Sequence, residues 1–183
     1  MEVALLGGSF NPPHVGHLLA AGYLHATQGF DRVWLMPSYR HPFGKPLAPF
    51  EHRVRMCQAL AAETSGWLEV SEIEREVGGE GRTIDTLEKL LPKFPELCFT
   101  LVIGSDILKD LPSWKDFDRI RQLVRVLVLH RAGYPSPQAV GPPLAEVSST
   151  RIREALERGE TPTELVPRAV LEYARRHNLY RAR

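Results

Sequence analysis

The stretch VALLGGSFNPPHVGHLLAAGYLHA, Val3 to Ala26, decides how the rest of the chain is read. A short apolar run passes through two glycines and two prolines, then straight into a helical pattern. Such a β-loop-α unit is where α/β proteins hold phosphates. Gly7 and Gly8 allow a tight turn whose backbone N–H groups can approach an anion closely. His14 and His17 stand three apart. With a helix starting near Val15, both imidazoles sit at its positive end, beside amides that the helix itself cannot satisfy. That set of donors suits a polyphosphate. It does not suit a nucleophile–base pair, because no Cys or Ser stands in an activated position. The plain alternative is a pair of polar loop residues. Zinc would need a third ligand, and only His25 and His41 are near, without metal spacing. A dinucleotide fingerprint is also absent, since there is no G-x-G-x-x-G.

Working outward, apolar β-branched runs alternate with helical patterns. VALL, RVWLM, WLEVSEI, CFTLVIG and VRVLVLH read as strands; GHLLAAGYLHA, FEHRVRMCQALAAE and TIDTLEKLLPKF read as helices. Alternation of this kind predicts an α/β fold, a doubly wound, Rossmann-like domain with a mostly parallel sheet and helices on both faces. Ligands then bind beyond the carboxyl ends of the strands, so residues after VALL, LVIG and VLVLH should share one rim. PSYRHPFGKPLAP and RAGYPSPQAVGPP read as long loops. TELVPRAVLEYARRHNLY reads as a final helix, with Pro167 in its first turn and Asn178 as a left-handed cap.

The 183 residues, 43% hydrophobic, suit one compact domain spanning 1–183. A net charge of +1 gives no electrostatic case for a nucleic-acid or membrane-surface partner. An anionic ligand must therefore be held by a local site. No apolar run approaches the ~18 residues of a membrane span, and no basic-then-apolar leader opens the chain. Cys57 and Cys98 give no disulfide framework and read as two buried thiols in a reducing cytoplasm. Composition leaves a homo-oligomer open.

Two further stretches carry chemistry. In VSSTRIREAL, Val147 to Leu156, Ser148, Ser149 and Thr150 are natural helix N-caps, and Gly159 a natural stop. Ile152, Ala155 and Leu156 should face the core. Arg151 and Arg153 then lie near the helix start, where cations oppose the macrodipole unless an anion sits between them. This is either a second phosphate site or an ordinary capped surface helix. In VIGSDILKDLPSWKDF, Gly104, Ser105 and Asp106 follow a buried strand. Asp106 can accept from ribose hydroxyls, help hold a divalent metal, or merely cap a helix; Trp114 can stack on a flat ring or fill core. In GRTIDTL, Thr83 is a candidate N-cap.

With those residues in hand, the chain resembles nucleotidyltransferases of the α/β-phosphodiesterase superfamily, specifically the bacterial nicotinate/nicotinamide mononucleotide adenylyltransferases. The family pattern G-G-[ST]-F-[DN]-P-x-H-x-G-H is met by Gly7 to His17, and S-[SA]-T-x-I-R by Ser148 to Arg153. IGSD, PSW, LHRAGYP and VLEYARRHNLYR match in the same order along the chain. The resemblance implies AMP transfer from ATP to a pyridine mononucleotide in NAD biosynthesis. It implies that His14, His17 and Arg153 are catalytic. Gly7, Gly8, Ser9 and Phe10, with Gly104, Asp106 and Arg131, would bind ATP, together with Ser148, Ser149 and Thr150. Ser9, Lys45 (a lid cation), Arg82, Thr83, Asp106 and Trp114 would serve the mononucleotide. Mg²⁺ would arrive mainly on ATP, with no metal ligands on the protein. Two departures stand out: YRHPFGK replaces the frequent P-P-H-K, and GRT replaces S-Y-T, putting Arg82 where the family often has Tyr. That region faces the pyridine substituent in the family, so Arg82 implies nicotinate, with nicotinamide the alternative. Rival functions are another nucleotidyltransferase of the superfamily, such as the pantetheine-phosphate type, and a nucleotide-sensing module without turnover.

Overall fold

In a computed structural model, which describes residues 1–40, 44, 46–78, 81–144 and 147–181, six strands form one parallel sheet. They are β1 (Glu2–Gly8), β2 (Arg32–Pro37), β3 (Leu68–Val70), β4 (Cys98–Gly104), β5 (Arg125–Arg131) and β6 (Ala139–Leu144). Their order, β3-β2-β1-β4-β5-β6, is that of two mononucleotide-binding halves. The order reverses between β1 and β4, which pair directly from Glu2 with Cys98 to Leu6 with Val102. A crevice must open beyond the carboxyl ends of these two strands, because their connections leave on opposite faces of the sheet.

Alternation along each strand feeds two cores. Val3, Leu5, Trp34, Leu101, Ile103 and Val128 point to one face. There they meet α3 (Ile73–Val77), α4 (Thr83–Leu90) and α5 (Phe117–Leu123) through Ile73, Leu87 and Ile120. Ala4, Leu35, Val102, Leu127 and Leu129 point to the other. They pack on α1 (Val15–Thr27), α2 (Phe50–Ala61), α6 (Ser149–Glu157) and α7 (Arg168–Arg176) through Leu24, Met56, Ile152 and Val170. Burial on both faces is why the central strands read as unbroken apolar runs. None of the helices among the described residues is long and apolar enough to cross a membrane.

The structure corrects several expectations. The segment after β5 is not all loop: Ala139–Leu144 adds β6 at the sheet edge, with Pro142 and Pro143 in the irregularity between the Val140 and Leu144 pairings to β5. Gly141 there has φ +81°, and a Cβ would lie 2.5 Å from the Tyr23 ring, so close approach to α1 requires glycine. WLEVSEI is strand only at Leu68–Val70; Ile73 already begins α3. Pro167 is the N-cap of α7 rather than part of its first turn. Asn178 does take a left-handed φ of 52°, with Leu179 N–H on the Ala174 carbonyl and Asn178 N–H on that of Arg175. Gly159 ends α6 at φ +80°. Cys57 is buried but Cys98 is exposed, against the expectation of two buried thiols.

Candidate active site

A cleft of about 1270 Å³ opens beyond the carboxyl ends of β1, β2, β4 and β5. Single small-ligand sites run to roughly 300–1,000 Å³, so there is room here for more than one nucleotide-sized fragment. Gly7, Gly8, Ser9, His14 and His17 line it from the first turn. Gly104, Asp106 and Arg131 come from the ends of β4 and β5, and Arg82, Thr83 and Trp114 from the start of α4 and the segment before α5. The three predicted strand ends do share one rim.

Helix α1 begins at Val15 with His14 as its N-cap. His14 is buried at 4% exposure, and its Nδ1 has no hydrogen-bond partner among the described residues. The His17 ring stacks on it at 3.7 Å and 25°, and His17 Nδ1 accepts the His14 backbone N–H at 3.1 Å. Burial, then the nearby Arg131 guanidinium, lowers the His14 pKa to about 4. The same burial, with the adjoining His14 ring and Arg131, holds His17 well below the ordinary imidazole range. Both rings are therefore neutral at pH 7. Because Nδ1 of His17 accepts, its proton is on Nε2, the atom left to donate to a ligand. Among the described residues no Ser or Cys is hydrogen-bonded to either ring.

The opposite strand ends supply one charge of each sign. A Cβ on Gly104 would lie 2.3 Å from Asp106 Oδ1, so the carboxylate folds back over a position that only glycine leaves open. Asp106 Oδ2 lies 3.7 Å from Arg131 Nε, with both side chains partly exposed. Such a pair contributes only ~0–1 kcal/mol, so a ligand can separate it at little cost. Ser105, buried, ties β4 to the turn after β5: its Oγ donates to the Tyr134 carbonyl at 2.6 Å and accepts from Arg131 N–H at 2.9 Å.

The second motif stands beside the cleft, not on its wall. Ser149 Oγ donates to the Pro12 carbonyl at 3.1 Å, and Arg153 donates to the Asn11 carbonyl at 2.8 Å and to Thr150 Oγ1 at 3.2 Å. Ser148 is the N-cap of α6, but it makes no side-chain capping bond, and the first turn holds no acidic residue. Val147, just ahead, lines the cleft and packs against Gly16. The starts of α1 and α6 are thus held together at residues 11–16. The Phe10 side chain is buried at 1% in the core at φ 45° and is not part of the cleft wall. Lys45 and His41 lie outside the described residues.

Sequence reasoning missed Ser38 and Arg40, which also line the cleft. The signal was available, since RVWLM is a parallel strand whose carboxyl end must reach the same rim. Ser38 N–H and Oγ both bond the Gly8 carbonyl, at 2.9 and 3.3 Å, fastening β2 to the end of β1. Glu74 was missed as well. Buried at 7%, it accepts from Thr86 Oγ1 and lines the cleft, and burial raises its pKa.

The profile of the cytidylyltransferase-like family matches residues 5–155. A Myxococcus xanthus protein named "Probable nicotinate-nucleotide adenylyltransferase" is 65% identical over 180 residues, covering 98% of this chain and 95% of that protein. The chain belongs to this family, among its nicotinate-nucleotide adenylyltransferases. A Thermus thermophilus relative of the same name is 36% identical, covering 99% of this chain and 100% of its own length. The fold agrees with that of the Plasmodium falciparum nicotinic acid mononucleotide adenylyltransferase complexed with NaAD. Its TM-score is 0.80 at 18% identity, with 98% of this chain and 97% of that one covered. In a nicotinate-nucleotide adenylyltransferase the two neutral imidazoles and Arg131 amount to an array of donors, without a covalent nucleophile among them.

Proposed function

We propose that the protein moves the adenylyl group of ATP onto the 5′-phosphate of nicotinate mononucleotide, forming the dinucleotide and pyrophosphate in the cytoplasm. An oxygen of the mononucleotide phosphate attacks the α-phosphorus in line. The bond from that phosphorus to the α–β bridging oxygen breaks, and its electron pair leaves with pyrophosphate. The attacking oxygen is already anionic, so no base and no covalent intermediate are needed. Catalysis is then positioning plus stabilisation of charge on the transferring group.

The observation that carries this reading is the joining of His14, His17 and Arg153 through one loop beside a cleft built for two ligands. In it, His17 Nε2–H and His14 donate to phosphoryl oxygens, and the buried Nδ1 of His14 gains the polar partner it lacks. Ser148, Ser149, Thr150 and Arg153 serve the outer phosphates from the start of α6. Asp106 and Trp114 hold the mononucleotide. Among the described residues no three His, Cys, Asp or Glu side chains could jointly hold a metal. That donor set fits Mg²⁺ delivered on ATP, keeping most of its water, with Asp106 among the carboxylates on the cleft wall.

Arg82, the N-cap of α4 on the cleft wall, is assigned to the nicotinate carboxylate. A charged hydrogen bond exceeds a neutral one by about 1 kcal/mol, so preference over nicotinamide should be five- to tenfold. Pyrophosphate release measured with ATP and a panel of acceptors tests the whole reading. Nicotinate mononucleotide should give the highest kcat/KM, nicotinamide mononucleotide less, and phosphopantetheine none. Arg82→Ala should narrow the ratio between the two pyridines. ATP binding without pyrophosphate release in the presence of either pyridine mononucleotide would identify a sensing module instead.

A further inference from the structure

We infer that Tyr180, in the tail beyond α7, is a positioning residue for the phosphate-binding apparatus and acts through Asn11. Asn11 lies in the turn between β1 and α1 and is 2% exposed. Its side-chain oxygen accepts from the Tyr180 hydroxyl at 2.7 Å and from the Ala48 N–H at 3.1 Å, which uses both of its lone pairs. Its backbone carbonyl accepts from Arg153 at 2.8 Å. One buried residue thus links the tail, the loop before α2 and the start of α6, three residues upstream of His14.

The contacts around this turn fasten its neighbours, whereas the Asn11 side chain is held by Tyr180 and Ala48. Arg53, 1% exposed, lies against it and donates to the carbonyls of Ala48 at 2.8 Å, Ser9 at 2.9 Å and Tyr39 at 3.4 Å. No carboxylate among the described residues forms an ion pair with it, so its fork is committed to loop backbone. Phe10 at φ 45° and Tyr180 at φ 59° both hold left-handed backbone without being glycine. Such conformations persist where the surroundings over-determine them, and they gather at functional sites. Burial raises the Tyr180 pKa, so the hydroxyl remains a donor. A tyrosine 169 residues away in sequence sets the carbonyl that aims Arg153.

The inference rests on the adenylyl-transfer reading, and the experiment separates the two. Wild-type turnover of ATP with nicotinate mononucleotide is measured first; absence of pyrophosphate release would sink the reading itself. Tyr180→Phe removes only the hydroxyl. A positioning role predicts that kcat falls about tenfold, since small misplacements of catalytic groups cost up to ~100-fold. The mononucleotide KM should stay within about twofold, and the Tm within about 3 °C. In an Asn11→Ala background the same substitution should lower kcat no further, because both changes break one contact. Unchanged kcat, full additivity in the double variant, or lost folding with normal kcat in the surviving protein would each overturn the inference, the last in favour of a purely structural contact.

Discussion

The His17 imidazole accepts the His14 backbone N–H on Nδ1 and keeps its own proton on Nε2, so one contact sets both ring orientation and tautomer. A cationic pair is the obvious guess for a phosphate site, yet two rings stacked at 3.7 Å under burial resist a shared positive charge. The donors are instead neutral and fixed in direction, which suits charge that grows only in the transition state. His17→Ala should lower kcat by roughly 10²–10³, the range for losing one such donor. The fold should survive with Tm lowered by only a few degrees, the cost of losing the bond to the His14 N–H. Pyrophosphate-release kinetics beside thermal melting checks this; retention of more than half the activity would contradict the role. The two histidines were plain in the sequence from spacing and the Gly-rich turn. Their neutrality was not, because it arises from burial and Arg131, 114 residues further on.

Helix α6 shows why motif and geometry part company. Three hydroxyls at its start read as caps, but Ser148 makes no side-chain capping bond and Ser149 is spent on the Pro12 carbonyl. A cap contributes about 1 kcal/mol, whereas fully burying Ile152 contributes roughly 1.5–3 kcal/mol. Packing therefore places the helix, and the Ser148 hydroxyl need not cap it. The end of β4 works similarly. Ala at position 104 would put its Cβ against Asp106 Oδ1, the far end of a side chain that can swing away. Gly104→Ala should thus fold with a Tm near wild type but displace Asp106, raising a nucleotide KM at least several-fold. Unaltered KM values for both substrates would remove Asp106 from binding. Strand β6 escaped notice because its Gly-Pro-Pro centre opposes strand propensity, and only pairing with β5 and contact with Tyr23 make it a strand.

Across the whole molecule, the buried histidines couple stability to pH. Below about pH 6.5 the unfolded chain protonates these imidazoles, while native His14 stays neutral down to about 4 and His17 is likewise held well below the ordinary imidazole range. The unfolded state then binds more protons, so stability falls as pH drops through that window, by up to about 3 kcal/mol for His14 alone. Glu74 acts with the opposite sign: its raised pKa favours the native state towards acid and withdraws that support as pH rises above the usual carboxylate range. Thermal melting from pH 7 to 4.5 should show Tm falling on acidification, less steeply in His14→Gln. An equal slope in the variant would rule His14 out as a source.

Local chemistry carried much of this protein's plan. Apolar periodicity announced β1 to β5 and the principal helices; the Gly7–His17 and Ser148–Arg153 stretches announced the starts of α1 and α6. Those features depend on neighbours within a few residues, which is why they were legible. What needed the folded chain were contacts between segments far apart in sequence. Lone-pair accounting at Asn11 brings Tyr180, Ala48 and Arg153 to one turn. Burial turns His14 and His17 into neutral donors, Phe10 belongs to the core rather than the cleft wall, and Ser38 latches onto Gly8 only because β2 lies beside β1. Periodicity reports which face a residue prefers, whereas partners, burial and charge state are set by whatever the fold packs against it.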